Sequence, residues 1–78
     1  MKKETYPVAR TRLLNELEAH GWNVKRGLKV PWAEHNGIQV SFRPQAVYCG
    51  VHSMWVDIRN MPIDLFLRNV EHCAKHEY

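Results

Sequence analysis

The side chains best suited to chemistry are basic and aromatic residues that share one face of a predicted sheet. Side chains alternate between the two faces of a strand, so the bulky aliphatic residues take one face and a polar set takes the other. Basic groups neutralise phosphates and exposed rings stack on bases, a pattern typical of nucleic-acid-binding faces. The polar set comprises Lys25, Lys29, Gln39, Ser41, Arg43, Tyr48, Trp55 and Arg59.

From this set we predict six residues that bind nucleic acid or another partner: Lys25, Lys29, Arg43, Tyr48, Trp55 and Arg59. Trp55 is the most informative, because a large aromatic residue on a polar face is uncommon. The alternative is an ordinary solvated face, on which Trp55 packs against arginine stems or lies in a dimer contact.

The histidines could support metal binding or acid–base chemistry. His72 and His76 lie four residues apart on a predicted helix, which brings two imidazoles together, but a structural zinc site needs four ligands. His35 and His52 lie in or near predicted turns, where either could act as the general base of a ribonuclease beside an arginine. The sequence has no nucleophile motif, P-loop or dinucleotide motif, so we expect no catalytic residue, metal or cofactor.

Cysteine usage and apolar runs indicate the compartment. Cys49 and Cys73 are the only cysteines, fewer than a disulfide framework in a secreted chain usually has, and Cys49 in a strand pattern favours an inert buried thiol. The charged N-terminus has no apolar run behind it, and no run approaches the roughly 20 residues of a membrane-spanning helix. We therefore expect a cytoplasmic protein that does not contact a membrane.

The net charge of +3 is concentrated in the sheet. Residues 22–59 contain five basic and two acidic residues, whereas the two flanking segments contain six of each. A localised basic surface favours an acidic partner, most often nucleic acid, although an acidic protein surface would fit equally well.

The elements that position these residues follow from periodicity. A helix is predicted from Tyr6 to His20, with Thr5 as its N-cap, Pro7 in its first turn and Gly21 at its C′ position. A second helix begins near Pro62, and its apolar stripe predicts a core-facing side. That stripe comprises Ile63, Phe66, Leu67, Val70 and Ala74.

Period-2 alternation predicts the strands between the helices. Trp22 to Arg26 and Leu28 to Trp32 form two runs separated by Gly27, with Leu28, Val30 and Trp32 sharing a face. Asn36-Gly37 predicts a hairpin into Ile38–Arg43. The remaining strands are predicted at Ala46–Val51 and Met54–Arg59, joined by a turn at Gly50–Ser53.

The order α-β-β-β(-β)-α predicts one α+β domain over residues 1–78 with two helices on one face of an antiparallel sheet. Trp22, Val24, Val30, Ile38, Val40, Phe42, Val56 and Ile58 are expected to point at the helices. The other face is left to solvent. The outline resembles double-stranded-RNA-binding domains, but a fold outline assigns no function.

The segment Leu13 to Arg26, LLNELEAHGWNVKR, resembles the opening helix and first strand of HicA-type toxins, small αβββα ribonucleases of toxin–antitoxin systems. The Gly-Ser-His-His segment of that family is replaced by Gly27-Leu28-Lys29-Val30, so the resemblance transfers no catalytic residue. The segments Arg43–Tyr48 and Trp55–Arg59 resemble small uncharacterised proteins of bacteria and their phages, which implies an accessory role on a mobile element.

Three functional hypotheses follow. The first is a bacterial or phage binding module that contacts nucleic acid through the exposed sheet face. The second is a phage-encoded inhibitor that docks the same face or an edge strand onto a host protein. The third is a small toxin-like ribonuclease. An exposed sheet edge or face commonly pairs with a copy of itself, so a homodimer is also possible.

Overall fold

Two helices enclose a run of short strands in the described part of the chain. The computed structural model describes residues 4–27, 29–44, 46–54 and 56–77, with side chains as far as Lys75. The elements are α1 (Tyr6–Ala19), β1 (Asn23–Lys25), β2 (Trp32–His35), β3 (Ile38–Phe42), β4 (Val47–Cys49), β5 (His52–Ser53) and α2 (Ile63–Glu77). None of the helices in these residues is long and apolar enough to cross a membrane.

The strands form one antiparallel sheet in the order β1-β2-β3-β4-β5, so each strand pairs with the next along the chain. Both helices pack on the same face of this sheet, and their apolar residues join those of the strands in one core. The predicted α+β class and helix placement are confirmed. The described residues contain five strands rather than the predicted three or four.

Phe42 and Phe66 lie at the centre of the core, where β3 meets α2. Both side chains are fully buried, and their rings stack with centroids 5.8 Å apart. Leu13 and Leu17 bring α1 into the same cluster. Burying side chains of this size contributes roughly 1.5–3 kcal/mol each, so this cluster is a main source of the fold's stability.

A Schellman motif ends α1 and directs the chain towards β1. Gly21 has a φ of +91°, its N–H donates to the Glu18 carbonyl at 3.0 Å, and the Trp22 N–H donates to the Leu17 carbonyl at 3.0 Å. This pattern satisfies carbonyls that the helix end leaves without partners. At the other end, Thr5 occupies the predicted N-cap position, but its side chain donates and accepts no capping hydrogen bond.

The predicted hairpin at Asn36-Gly37 is confirmed. Both residues have positive φ, 51° and 81°, and His35 pairs with Ile38 across a two-residue turn. Positive φ at both central positions is the requirement of a type I′ turn, whose twist matches that of the flanking strands. The turn therefore fixes the pairing of β2 with β3.

The predicted strand from Leu28 to Trp32 is wrong. β2 begins only at Trp32, because Pro31 has no N–H to donate and contributes only its carbonyl, which accepts from the Phe42 N–H at 2.9 Å. The hairpin register puts Ala33 opposite Val40 in the core, so Trp32 lies on the other face beside Ser41. Val30 lies half-buried in a bend rather than in a strand, and Leu28 lies outside the described residues.

The predicted strand from Met54 to Arg59 is also wrong. The strand is His52–Ser53, inside the segment predicted as a turn, and the turn itself is Gly50-Val51. Further along, the Asp57 carboxylate accepts a hydrogen bond from the Arg59 N–H at 3.1 Å, and Asn60 has a φ of 62°. Such local side-chain bonds compete with strand pairing, although Ile58 still reaches the core as expected.

Candidate functional site

The candidate site is the sheet face that the two helices leave uncovered, here called the open face. The strand register places one residue from each strand in a single row across it: Lys25, Trp32, Ser41, Tyr48 and Ser53. A second row, formed by Asn23, Glu34 and Gln39, lies two residues along the strands. The residues that alternate with these two rows face the helices, as the full burial of Ala33, Val40 and Cys49 shows.

Two aromatic rings flank a small residue at the centre of the first row. Trp32 and Tyr48 are both half-buried and lie on either side of Ser41. Neighbouring strands are about 4.8 Å apart, so the backbones that carry the two rings are separated by about 9.5 Å. The small hydroxymethyl group of Ser41 leaves a gap between the two rings.

Arg43 covers the Tyr48 ring. Its guanidinium carbon lies 4.0 Å from the ring centroid, within the range of a cation–π contact. The Arg43 backbone is held on both sides: its N–H donates to the Ala46 carbonyl at 2.9 Å, and its carbonyl accepts from the Tyr6 hydroxyl at 2.6 Å. Burial raises the pKa of Tyr6 above its ordinary value, so the hydroxyl keeps its proton to a higher pH than an exposed tyrosine does.

The basic residues gather at one end of the sheet. β1 ends at Lys25, β2 begins at Trp32 and β3 ends at Phe42, so the loop that holds Lys29 and the loop that holds Arg43 leave the sheet at the same end. Glu34 lies in the second row, towards the opposite end. The open face is therefore polarised along its strands, with positive charge beside the two rings.

Two of the five basic residues in the sheet segment, residues 22–59, are held in ion pairs with carboxylates. Arg26 pairs with Glu18 at 3.3 Å on the helix side, and Arg59 pairs with Asp57 at 2.8 Å. Within the described ranges, Lys25, Lys29 and Arg43 are exposed and make no ion pair with a carboxylate. Of these five residues, Lys25, Lys29 and Arg43 are therefore the best placed to meet an anionic partner.

The structure brings together some of the predicted site residues. Lys25, Arg43 and Tyr48 lie on the open face, and Lys29 lies in the loop at the same end. Arg59 lies in a turn against Asp57 rather than on the sheet, so its placement on the face is wrong. Trp55 lies outside the described residues.

The sequence interpretation missed Trp32 as a site residue. Alternation that runs through Pro31 predicts Trp32 on a face with Leu28 and Val30. The two-residue turn at Asn36-Gly37 contained the correct signal, since pairing His35 with Ile38 requires Trp32 to face the same way as Ser41. Trp32 supplies an aromatic ring on the open face, the role that the sequence predicts for Trp55.

The histidines are held apart. His35 stacks on Trp22, with ring centroids 5.2 Å apart, and His52 lies in β5, three strand spacings or about 14 Å away. These two histidines therefore cannot share one site, and the hypothesis that either acts as a general base beside an arginine stays a prediction. Among the described residues no group of three His, Cys, Asp or Glu side chains is arranged to hold a metal, and the side chain of His76 lies outside them.

Comparison with known proteins adds no assignment. The chain matches no protein-family model, no curated protein and no solved structure. The resemblance to HicA-type toxins stays a prediction.

Proposed function

We propose that this protein is a small module that binds nucleic acid through its open face. The observation that supports this proposal is the row in which Trp32 and Tyr48 flank Ser41, with Lys25 and Arg43 free of carboxylate partners among the described residues. Rings that can stack and cations that can meet phosphates occur together on platforms for nucleic acid. The resemblance to small bacterial and phage proteins favours an accessory role on a mobile element.

The two kinds of contact contribute differently. Stacking of one base on an aromatic side chain is worth roughly 1–3 kcal/mol by alanine substitution, whereas exposed charges act mainly through salt-dependent phosphate contacts. With three available cations, the electrostatic share is small. The rings therefore have to supply much of the affinity.

A binding measurement with matched variants tests the proposal. Fluorescence anisotropy would follow labelled RNA and DNA oligonucleotides, single- and double-stranded, titrated with the protein at low salt. Lys25→Ala and Arg43→Ala remove charges from the open face. Lys75→Ala and Arg68→Ala remove the same charges from exposed positions on α2, on the other side of the sheet.

We expect the two open-face variants to weaken binding and the two α2 variants to leave it unchanged. Equal losses in both pairs would reveal non-specific attraction to net charge and contradict the proposal. No binding to any oligonucleotide would also contradict it, and would favour the hypothesis that the same face docks onto a host protein.

A further inference from the structure

The two rings of the open face differ in what covers them. Arg43 lies on Tyr48, whereas the Trp32 ring has no aromatic or cationic partner within the part of the chain that the structure describes. A planar guanidinium can itself serve as a stacking surface. The face therefore presents two separate platforms, a half-buried indole without such a partner and a guanidinium resting on a phenol, with Ser41 between them.

The spacing of the strands that carry the two rings bears on which form of nucleic acid fits. The backbones of Trp32 and Tyr48 are two strand spacings apart, about 9.5 Å. Neighbouring bases in a duplex rise only about 3.4 Å along each strand, and their flat faces are covered by the stack. A duplex cannot place a base on either platform without being opened, whereas an unstacked strand can place a base on each.

The charge distribution supports the same choice. A protein that tracks a duplex needs cations along the path of the phosphates. Here Lys25, Lys29 and Arg43 lie at one end of the sheet, and Glu34 lies towards the other. This arrangement can meet two or three phosphates of one strand beside the rings, and it would repel a backbone laid along the length of the strands.

We infer that the open face binds single-stranded nucleic acid in a splayed form, with one base on Trp32 and another on the Arg43–Tyr48 pair. The inference rests on the proposed function and narrows its ligand from nucleic acid in general to an unpaired strand. Trp32 is then the principal stacking residue, and Ser41 provides the gap between the two bases.

The experiment compares a short labelled oligothymidine or oligouridine with a blunt duplex of the same length. We expect the single strand to bind more tightly, and the logarithm of its association constant to fall with the logarithm of salt concentration with a slope of roughly −1.4 to −2.1, for two or three phosphates. Trp32→Leu keeps apolar bulk but removes the ring, so it should weaken single-strand binding about five- to 150-fold. Trp32→Phe keeps a ring and should retain most of the affinity.

Three results would overturn the inference. One is a duplex that binds as tightly as the single strand, and another is a salt slope steeper than about −3.6, the value for four duplex phosphates. The third is a folded Trp32→Leu variant that binds the single strand as well as the unmodified protein does. Each of these results is still compatible with nucleic-acid binding. Failure to bind either probe would instead contradict the proposed function as well.

Discussion

The Tyr6 hydroxyl donates a 2.6 Å hydrogen bond to the Arg43 carbonyl, and this bond joins helix α1 to the loop at the edge of the open face. The same hydroxyl lies 3.3 Å from the Ala46 carbonyl, at the other end of that loop. Arg43 in turn lies over the Tyr48 ring. A helix residue on the core side thus positions a cation on the opposite side of the sheet.

Replacing Tyr6 with Phe tests this positioning role. The variant keeps the ring that packs on the core but loses the donor, so we expect a loss of about 0.5–1.5 kcal/mol in the free energy of unfolding. Because the loop that holds Arg43 is then less restrained, binding to single-stranded oligonucleotide should also weaken, by less than in Arg43→Ala. Chemical denaturation and fluorescence anisotropy measure the two effects.

A double-variant cycle separates positioning from general destabilisation. If Tyr6 acts through Arg43, then Tyr6→Phe should cause no further loss of affinity in the Arg43→Ala background. Additive losses would mean that Tyr6 affects binding by another route, and would contradict the positioning role.

The planar shape of Arg43 gives a second prediction. Arg43→Lys keeps the positive charge but cannot lie flat between the Tyr48 ring and a base. We expect lower affinity at every salt concentration with an unchanged salt slope. Arg43→Ala should instead reduce the magnitude of the slope by about 0.7, the value for one single-strand phosphate. An Arg43→Lys variant with full affinity would show that only the charge matters there.

The sequence was sufficient to predict the parts of the fold that are set locally. The apolar stripe of α2, the Gly21 end of α1 and the Asn36-Gly37 turn each depend on residues close together in the chain, and each prediction is confirmed. The strand errors have a different origin. Pro31 removes a donor from the sheet, and Asp57 captures the N–H of Arg59, so tertiary pairing and local side-chain bonds both override period-2 alternation.

Much of the candidate site could be predicted by the same logic. Lys25, Arg43 and Tyr48 follow from alternation in strands whose bounds were nearly right. The contact of Arg43 with Tyr48, the bond from Tyr6 and the pairing of Arg59 with Asp57 depend on loop geometry that periodicity does not encode. The position of Trp32 on the open face could be predicted from the sequence, but only by counting back from the hairpin turn.

The pH dependence of stability should include a contribution from Glu4. Hydrogen bonds from the Arg12 side chain and from the Asn60 N–H lower the pKa of Glu4 to about 2, from an ordinary value of 4.5. A carboxylate whose pKa is lower in the folded state stabilises the fold above the unfolded value, and this contribution is lost as the pH falls from about 4.5 to 2.

Glu4→Gln therefore should lower the melting temperature at neutral pH, and the difference from the unmodified protein should shrink as the pH falls through that window. Glu71→Gln is a suitable control, because among the described residues Glu71 makes only an exposed 3.5 Å pair with Lys75 and such pairs are worth about 0–1 kcal/mol. A Glu4→Gln difference that stays constant from pH 7 to pH 2 would contradict the prediction.

The hairpin turn gives a prediction that depends on backbone conformation alone. Gly37 has a φ of 81°, and an added Cβ would meet no atom within 4 Å, so Gly37→Ala should cost only the strain of a left-handed residue. That strain is about 1–2 kcal/mol. Asn36→Gly keeps the same turn accessible and should change stability by less than about 0.5 kcal/mol. Similar denaturation midpoints for both variants would contradict the type I′ assignment.

The two cysteines should differ in accessibility because they lie on different layers of the fold. Cys49 is fully buried on the core face of β4, whereas Cys73 is half-buried on α2. A thiol-reactive disulfide reagent should therefore modify Cys73 quickly in the native protein, and Cys49 only as the fold opens. Cys73→Ser should abolish the fast phase and leave the slow one. A fast phase that survives this substitution would place Cys49 at the surface, and would reverse the assignment of the two sheet faces on which the binding site depends.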